Sequence, residues 1–177
     1  YYIGWCSVMG NLHLEEEAFQ AAASCSLDYC FPNRLEDILA LECAISHSSQ
    51  DAKAHYYLGD LWYDKRQYDL AVREWETSAE LDDTFPTVWR NLALAYFNKQ
   101  HRKEDALRCM ERAFSLNESD ARVLMELDQL YKRLGHSQEK RIKLLWRCKL
   151  QVMQRDDLSL ELITLLNQLG ENGQARI

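Results

Sequence analysis

The chain has 177 residues, of which 47% are apolar and 28% charged, and its formal net charge is −7. That apolar share excludes a disordered acidic tail, and the length suits one ordinary domain or a short repeat array. Its 6 glycines and 2 prolines fall far below the roughly 20 that average usage supplies; this disfavours a many-stranded sandwich or barrel, and no apolar run is long enough to span a membrane.

In chain order, Tyr1–Met9 reads as a helix that closes an earlier repeat, and Leu14–Leu27 as the first helix of the next. A connection near Asp28–Asn33, with Pro32 in it, precedes a second helix marked by Leu35, Ile38, Leu39, Leu41, Ala44 and Ile45. Residues 1–50 therefore form an irregular, degenerate repeat. The chain opens on Tyr1 inside an apolar stretch and stops at Ile177 as another helix begins, so it reads as a piece of a longer polypeptide.

From residue 51 onward the sequence repeats itself. Leu58, Leu92, Leu127 and Leu162 are spaced by 34, 35 and 35 residues, and Trp62, Tyr96, Tyr131 and Leu166 follow at the same spacings. Ala71, Ala106 and Ala175 form a later column in which the third copy places Lys140; Trp75, Met110 and Leu144 form a large-apolar one. Within the first copy, Leu58, Leu61 and Trp62 fall at helical spacing, and Tyr68, Ala71, Val72, Trp75 and Ala79 continue it after a polar break at Asp64–Gln67. Breaks this short make consecutive helices antiparallel neighbours. Asp51, and either Ser119 or Asp120, are placed to cap helices, and Pro86 suits a first helical position. The boundaries predicted are one repeat over 51–85, a second over 86–119, a divergent third over 120–154, and a truncated one over 155–177.

These residues resemble the tetratricopeptide repeat (TPR), a helix–turn–helix unit of 34 residues. The first copy reads His55-Tyr56-Tyr57-Leu58-Gly59-Asp60-Leu61-Trp62, then Tyr68, Ala71, Trp75 and Ser78. The second reads Trp89, Leu92-Ala93, Tyr96, Ala106, Met110 and Ala113, with one extra residue near Lys99–Lys103. The third keeps Leu124, Leu127, Tyr131 and Gly135 but has Asp128, Lys140 and Arg147 at positions that are usually small. The resemblance implies an all-α, right-handed superhelical solenoid of about eight or nine helices in antiparallel pairs. It also implies a concave groove lined by the first helix of each repeat. Carried over residue by residue, that groove holds Lys53, Tyr56, Asp60 and Tyr63, then Thr87, Arg90, Leu94 and Phe97, then Arg122, Met125, Gln129 and Lys132. Aromatic faces mixed with cations suit a partner protein or peptide with acidic groups. Packing of Tyr56, Leu94 and Phe97 against a neighbouring helix is the other use of that surface.

The phrases around Phe31–Ile45, His55–Glu76, Thr84–Lys99 and Arg155–Gly170 are also similar to the C-terminal repeat region of certain large bacterial proteins. In those, a β-rich region like carbohydrate-active folds precedes the repeats, which makes a structural arm the alternative function. One TPR subtype clamps acidic chaperone tails with lysines and asparagines. Here Tyr56 and Asp60 stand at its first two positions, and Glu126 replaces a cation although Asn91 and Arg122 remain, so that function is rejected.

Residues 1–85 hold 5 Lys/Arg against 16 Asp/Glu, residues 86–155 hold 15 against 8, and 156–177 hold 1 against 4. A solvated helix array carries such segregation; a sharper reading is that the middle segment attracts an acidic partner through Arg122, Lys132, Arg133, Lys140, Arg141, Lys143, Arg147 and Lys149. With no glycine loop and little aromatic interleaving there, nucleic acid is not the partner. Glu15, Glu16 and Glu17 point about 100° apart on a helix and cannot converge on one ion; the five histidines match no catalytic arrangement. No enzyme activity, metal or cofactor is expected. Six cysteines without a CxxC pair, and no secretion signal, fit a reducing cytoplasm. A homodimer, in which the acidic first half meets the basic middle, stays open.

Overall fold

The computed structural model describes residues 1–26 and 30–170. Leu27, the predicted connection at Asp28, and the recurring Ala175 lie outside the described residues. Within them, all regular structure is helical: eleven α-helices and one π-helical turn. The chain divides into two compact units, 1–95 and 96–177, and the division falls inside the stretch 86–119.

The first unit contains α1 (Tyr2–Gly10), α2 (Glu15–Ser24), α3 (Leu35–His47), α4 (Ala52–Asp64), α5 (Tyr68–Leu81) and α6 (Pro86–Ala95). Asp51 starts α4 by accepting from the backbone N–H of Lys53 at 3.1 Å and of Ala54 at 3.0 Å, which satisfies two donors that have no partner within the helix. At α3 the third helical residue, Asp37, reaches back instead and accepts from the N–H groups of Asn33 and Arg34 just before the helix. The pairing of α4 with α5 rests on small residues. A side-chain carbon at Gly59 would lie 2.5 Å from Trp75 Cδ1 and Nε1, so only glycine admits the indole. Ser78, with no exposed surface, donates its hydroxyl to Ala52 O at 2.7 Å. Leu58, Leu61, Ala71, Val72 and Trp75 close around this seam as the buried core.

Arg66, in the α4–α5 turn, has φ 61°, a left-handed conformation that penalises any residue with a Cβ. Arg66→Gly is expected to stabilise the unit by about 0.5–1 kcal/mol, the relieved strain outweighing the freedom glycine adds to the unfolded chain. An upward shift of the urea midpoint is the check.

The second unit begins with a π-helical turn at Tyr96–Gln100 and continues through α7 (Lys103–Leu116), α8 (Ala121–Arg133), α9 (Gln138–Arg147), the short α10 (Lys149–Val152) and α11 (Asp156–Gln168). The extra residue that the second copy carries is absorbed by the wider π turn, and His101, just after it, has φ 56°. The Arg102 guanidinium lies 4.0 Å over the Tyr96 ring there. Of the two capping candidates, Asp120 is the one used: it accepts from Arg122 N at 2.8 Å and Val123 N at 3.1 Å. Gly135, with φ 74°, reverses the chain after α8.

The third copy corrects the predicted columns. Leu145, not Leu144, is the side chain with no exposed surface, so the second helix of this copy is one residue out of the predicted register. That shift places Arg141, not Lys140, in the column of Ala71 and Ala106. Arg141 is 4% exposed and faces Asp128, 1% exposed, through two hydrogen bonds of 2.9 and 2.7 Å. Elsewhere these two columns hold Gly59 with Ala71 and Ala93 with Ala106, so a close contact of small residues is replaced here by a buried ion pair. Arg141 is therefore unavailable to an acidic partner. Lys140 sits outside, 4.1 Å over the Tyr131 ring.

Candidate functional site

Four of the predicted groove residues, Asp60, Tyr63, Arg90 and Leu94, line one cavity of about 440 Å³ in the first unit. Position follows from helix geometry: Asp60 and Tyr63 are neighbours one turn apart near the end of α4, and Arg90 and Leu94 are one turn apart on α6. The remaining walls are Asp64, Trp75, Asn91 and the segment Phe31-Pro32-Asn33. Sequence reasoning missed that segment, whose one visible signal was an aromatic next to a proline in a connection. It is close to this face because its backbone is held there. Lys65 Nζ donates to Asn33 O at 2.8 Å, and Lys53 Nζ donates to Cys25 O at 2.6 Å. Residues from both sides of the α2–α3 connection thus reach the two ends of α4, and Phe31 is left 76% exposed at the rim.

Asp60 organises the inner end of the cavity. Its Oδ1 accepts from Trp75 Nε1 at 3.1 Å and from Asn91 Nδ2 at 3.0 Å, which ties α4 to α5 and α6. Burial raises its pKa to about 6, and hydrogen bonds from Tyr56, Trp75 and Asn91 pull the other way without offsetting it. Burial, with Asp60 beside it, also pushes the Tyr56 phenol far above its ordinary value. Tyr56 packs edge-on against Phe85 with centroids 4.7 Å apart and is 8% exposed. It is core rather than groove lining, because the Asp60 hydrogen bond and Phe85 turn it inward. Lys53 is occupied with Cys25, and Asp64 pairs with Lys65 at 2.9 Å.

In the second unit the predicted groove residues are mostly engaged already. Arg122 Nε lies 3.4 Å from Glu126 Oε1, and Lys132 Nζ lies 2.8 Å from Glu161 Oε1. Phe97 has the Arg133 guanidinium 5.7 Å from its centroid. Met125, Gln129 and Phe97 are half-buried, as is Thr87 in the first unit.

His55 is buried with Nδ1 2.7 Å from Glu74 Oε2. The three consecutive glutamates diverge: Glu15 accepts from Ser7 at 2.7 Å, while Glu16 meets His47 at 2.7 Å. Among the described residues no three His, Cys, Asp or Glu side chains are grouped to hold a metal ion, and no helix is long and apolar enough to cross a membrane.

The paired helices define the chain as a helical-repeat protein of TPR-like architecture. No family model matches it. Among solved structures it is similar to MamA at 19% identity and TM-score 0.64, over 78% of this chain and 80% of that one. It is also similar to YrrB, described as a TPR protein with an unusual peptide-binding site, at 18% identity and TM-score 0.61, over 78% and 70%. A third, pilF of Pseudomonas aeruginosa, matches at 18% identity and TM-score 0.62 over 95% and 69%. These likenesses show the fold: paired helices stacked as a TPR-like solenoid.

Proposed function

We propose that the chain is a non-catalytic protein-interaction scaffold that holds a segment of a partner protein against the inner faces of its first helices. The repeats at 51–85, 86–119 and 120–154 are its units, and Asp60, Tyr63, Arg90 and Leu94 are the core of the site. The observation that carries this reading is the chain's own connection, whose backbone oxygens at Cys25 and Asn33 are gripped by Lys53 and Lys65 at the two ends of α4. A helix face that clasps main-chain carbonyls with lysines and offers an aromatic-walled cavity beside them is suited to an extended peptide. The likeness to YrrB, whose description names a peptide-binding site, supports it. Acidic groups on that peptide would lie near Arg90 at the cavity wall. The six unbridged cysteines support a reducing compartment, and we place the protein in the cytoplasm.

Peptides selected on the wild-type chain from a display library test the site. Arg90→Glu and Leu94→Glu are expected to weaken the selected peptides by at least about tenfold, while Arg73→Glu on the exposed side of α5 leaves them unchanged. Equal binding to all three variants would remove the cavity from the account.

A second reading is a structural arm of a larger bacterial carbohydrate-related protein, which docks its β-rich region or associates with itself. Exposed apolar side chains on α1 and α3 favour it: Ile3 is 72% and Leu35 67% exposed.

A further inference from the structure

The stretch from α9 through α10 is apolar on two opposite sides. Leu145, Cys148 and Val152 are buried on one. On the other, Trp146 is 42%, Leu150 69% and Met153 63% exposed, at spacings of four and three residues. The two helices keep one continuous face, because Cys148 N donates to Leu144 O at 3.1 Å, Val152 N to Cys148 O at 3.0 Å and Met153 N to Lys149 O at 3.0 Å. An exposed apolar stripe beside a buried one on the same helical stretch marks a surface that is ordinarily covered. The rim of the exposed stripe is basic. Lys143 and Lys149 have no partner among the described residues, and Arg147 reaches Glu118 only at 3.5 Å, with both side chains more than half exposed.

The complementary surface is on the same chain's first unit. Leu35 and Leu39, one turn apart on the outer side of α3, are 67% and 52% exposed, and the exposed Glu36 and Glu42 flank them. Residues 1–95 hold 6 Lys/Arg against 16 Asp/Glu, whereas residues 96–177 hold 15 against 12. An apolar stripe with a cationic rim and an apolar pair with an anionic rim are matched in both terms.

We propose that the α9–α10 stripe of one chain docks on the α3 face of a second copy, covering Trp146, Leu150 and Met153 with Leu35 and Leu39. Lys143, Arg147 and Lys149 then face Glu36 and Glu42. Because the two faces differ, a reciprocal two-fold dimer uses both at once, whereas a single contact leaves one face open on each copy and propagates beyond a dimer. An anionic lipid surface is the poorer match, since the whole chain carries −7. The proposal goes beyond the groove reading and does not depend on it.

Light scattering on the full 177-residue chain, from low micromolar to high micromolar protein and at low and high salt, tests it. The mass is expected to rise above the 20.8 kDa of one chain with concentration, and to fall back as salt screens the rims. Leu150→Glu is expected to weaken association by at least about tenfold with the circular dichroism unchanged. A Lys143→Glu/Arg147→Glu chain is expected to be monomeric alone and to recover association when mixed with a Glu36→Lys/Glu42→Lys chain, a rescue that misfolding cannot imitate. A monomer at every concentration and salt overturns the proposal, as does association that survives Leu150→Glu. Binding of a monomeric chain to phosphatidylserine vesicles through Leu150 overturns it in favour of lipid.

Discussion

Arg141→Ala is expected to cost about 3–5 kcal/mol, most of the stability a small unit has to lose. The guanidinium is 4% exposed and donates to Asp128 at 2.9 and 2.7 Å and to Glu161 at 2.6 Å. Removing it leaves the Asp128 carboxylate buried with its cation gone, and the desolvation cost of that charge is then uncompensated. Asp128→Leu combined with Arg141→Met is expected to recover most of the loss, because a buried pair exchanged for apolar volume is near neutral. Glu161 keeps Lys132 at 2.8 Å in that double variant. Urea unfolding of the two variants measures both numbers, and equal losses would show that packing rather than charge holds the third copy together. Acid has the same target. Burial alone would raise the Glu161 pKa, but the Lys132 and Arg141 hydrogen bonds win and hold it below the ordinary value. Its contribution is therefore present above the unfolded carboxylate's pKa and is lost as pH falls through the folded one.

Gly59→Leu is expected to cost on the order of 1–3 kcal/mol or more, through overpacking. The first added carbon would already lie 2.5 Å from Trp75 Cδ1 and Nε1. The indole cannot step back, since its Nε1 donates to Tyr56 O at 3.2 Å and Asp60 Oδ1 at 3.1 Å. Gly59→Ala separates this from helix propensity. In an open helix that change gains about 0.5–1 kcal/mol, whereas here the sign is expected to reverse. A urea midpoint that is unchanged or raised in Gly59→Ala would show that α4 and α5 do not meet at this residue.

The repeat was legible because burial recurs with the helical period. Leu58, Leu92, Leu127 and Leu162, the residues that set the spacing, are all no more than 3% exposed. Caps were legible for the same local reason: Asp51 and Asp120 act within three residues of themselves. What was not legible depends on contacts between helices far apart in sequence. Asp128 stood out as an intrusion at a small position, yet its compensation by Arg141 comes from another helix, and Arg141 is held in turn by Glu161 of a third, so no spacing signal is left. A one-residue slip of register was enough to assign Lys140 in place of Arg141. The connection at Cys30–Arg34 has no regular secondary structure and carries no period to read, although Phe31, Pro32 and Asn33 wall one side of the cavity. Tyr56 was assigned to the groove by its column, and only its partners Asp60 and Phe85 turn it into core.

The central claim, as proposed, is that α4 and α6 hold a main-chain segment of a partner. It is tested most directly by replacing residues 25–34 with a glycine–serine linker of equal length and titrating the variant with a peptide of those same residues, followed by isothermal calorimetry. The account predicts that the peptide binds the linker variant, binds the wild type far more weakly because its own segment competes, and loses affinity when Lys53 and Lys65 are changed to alanine. A peptide that fails to bind the folded linker variant would contradict it.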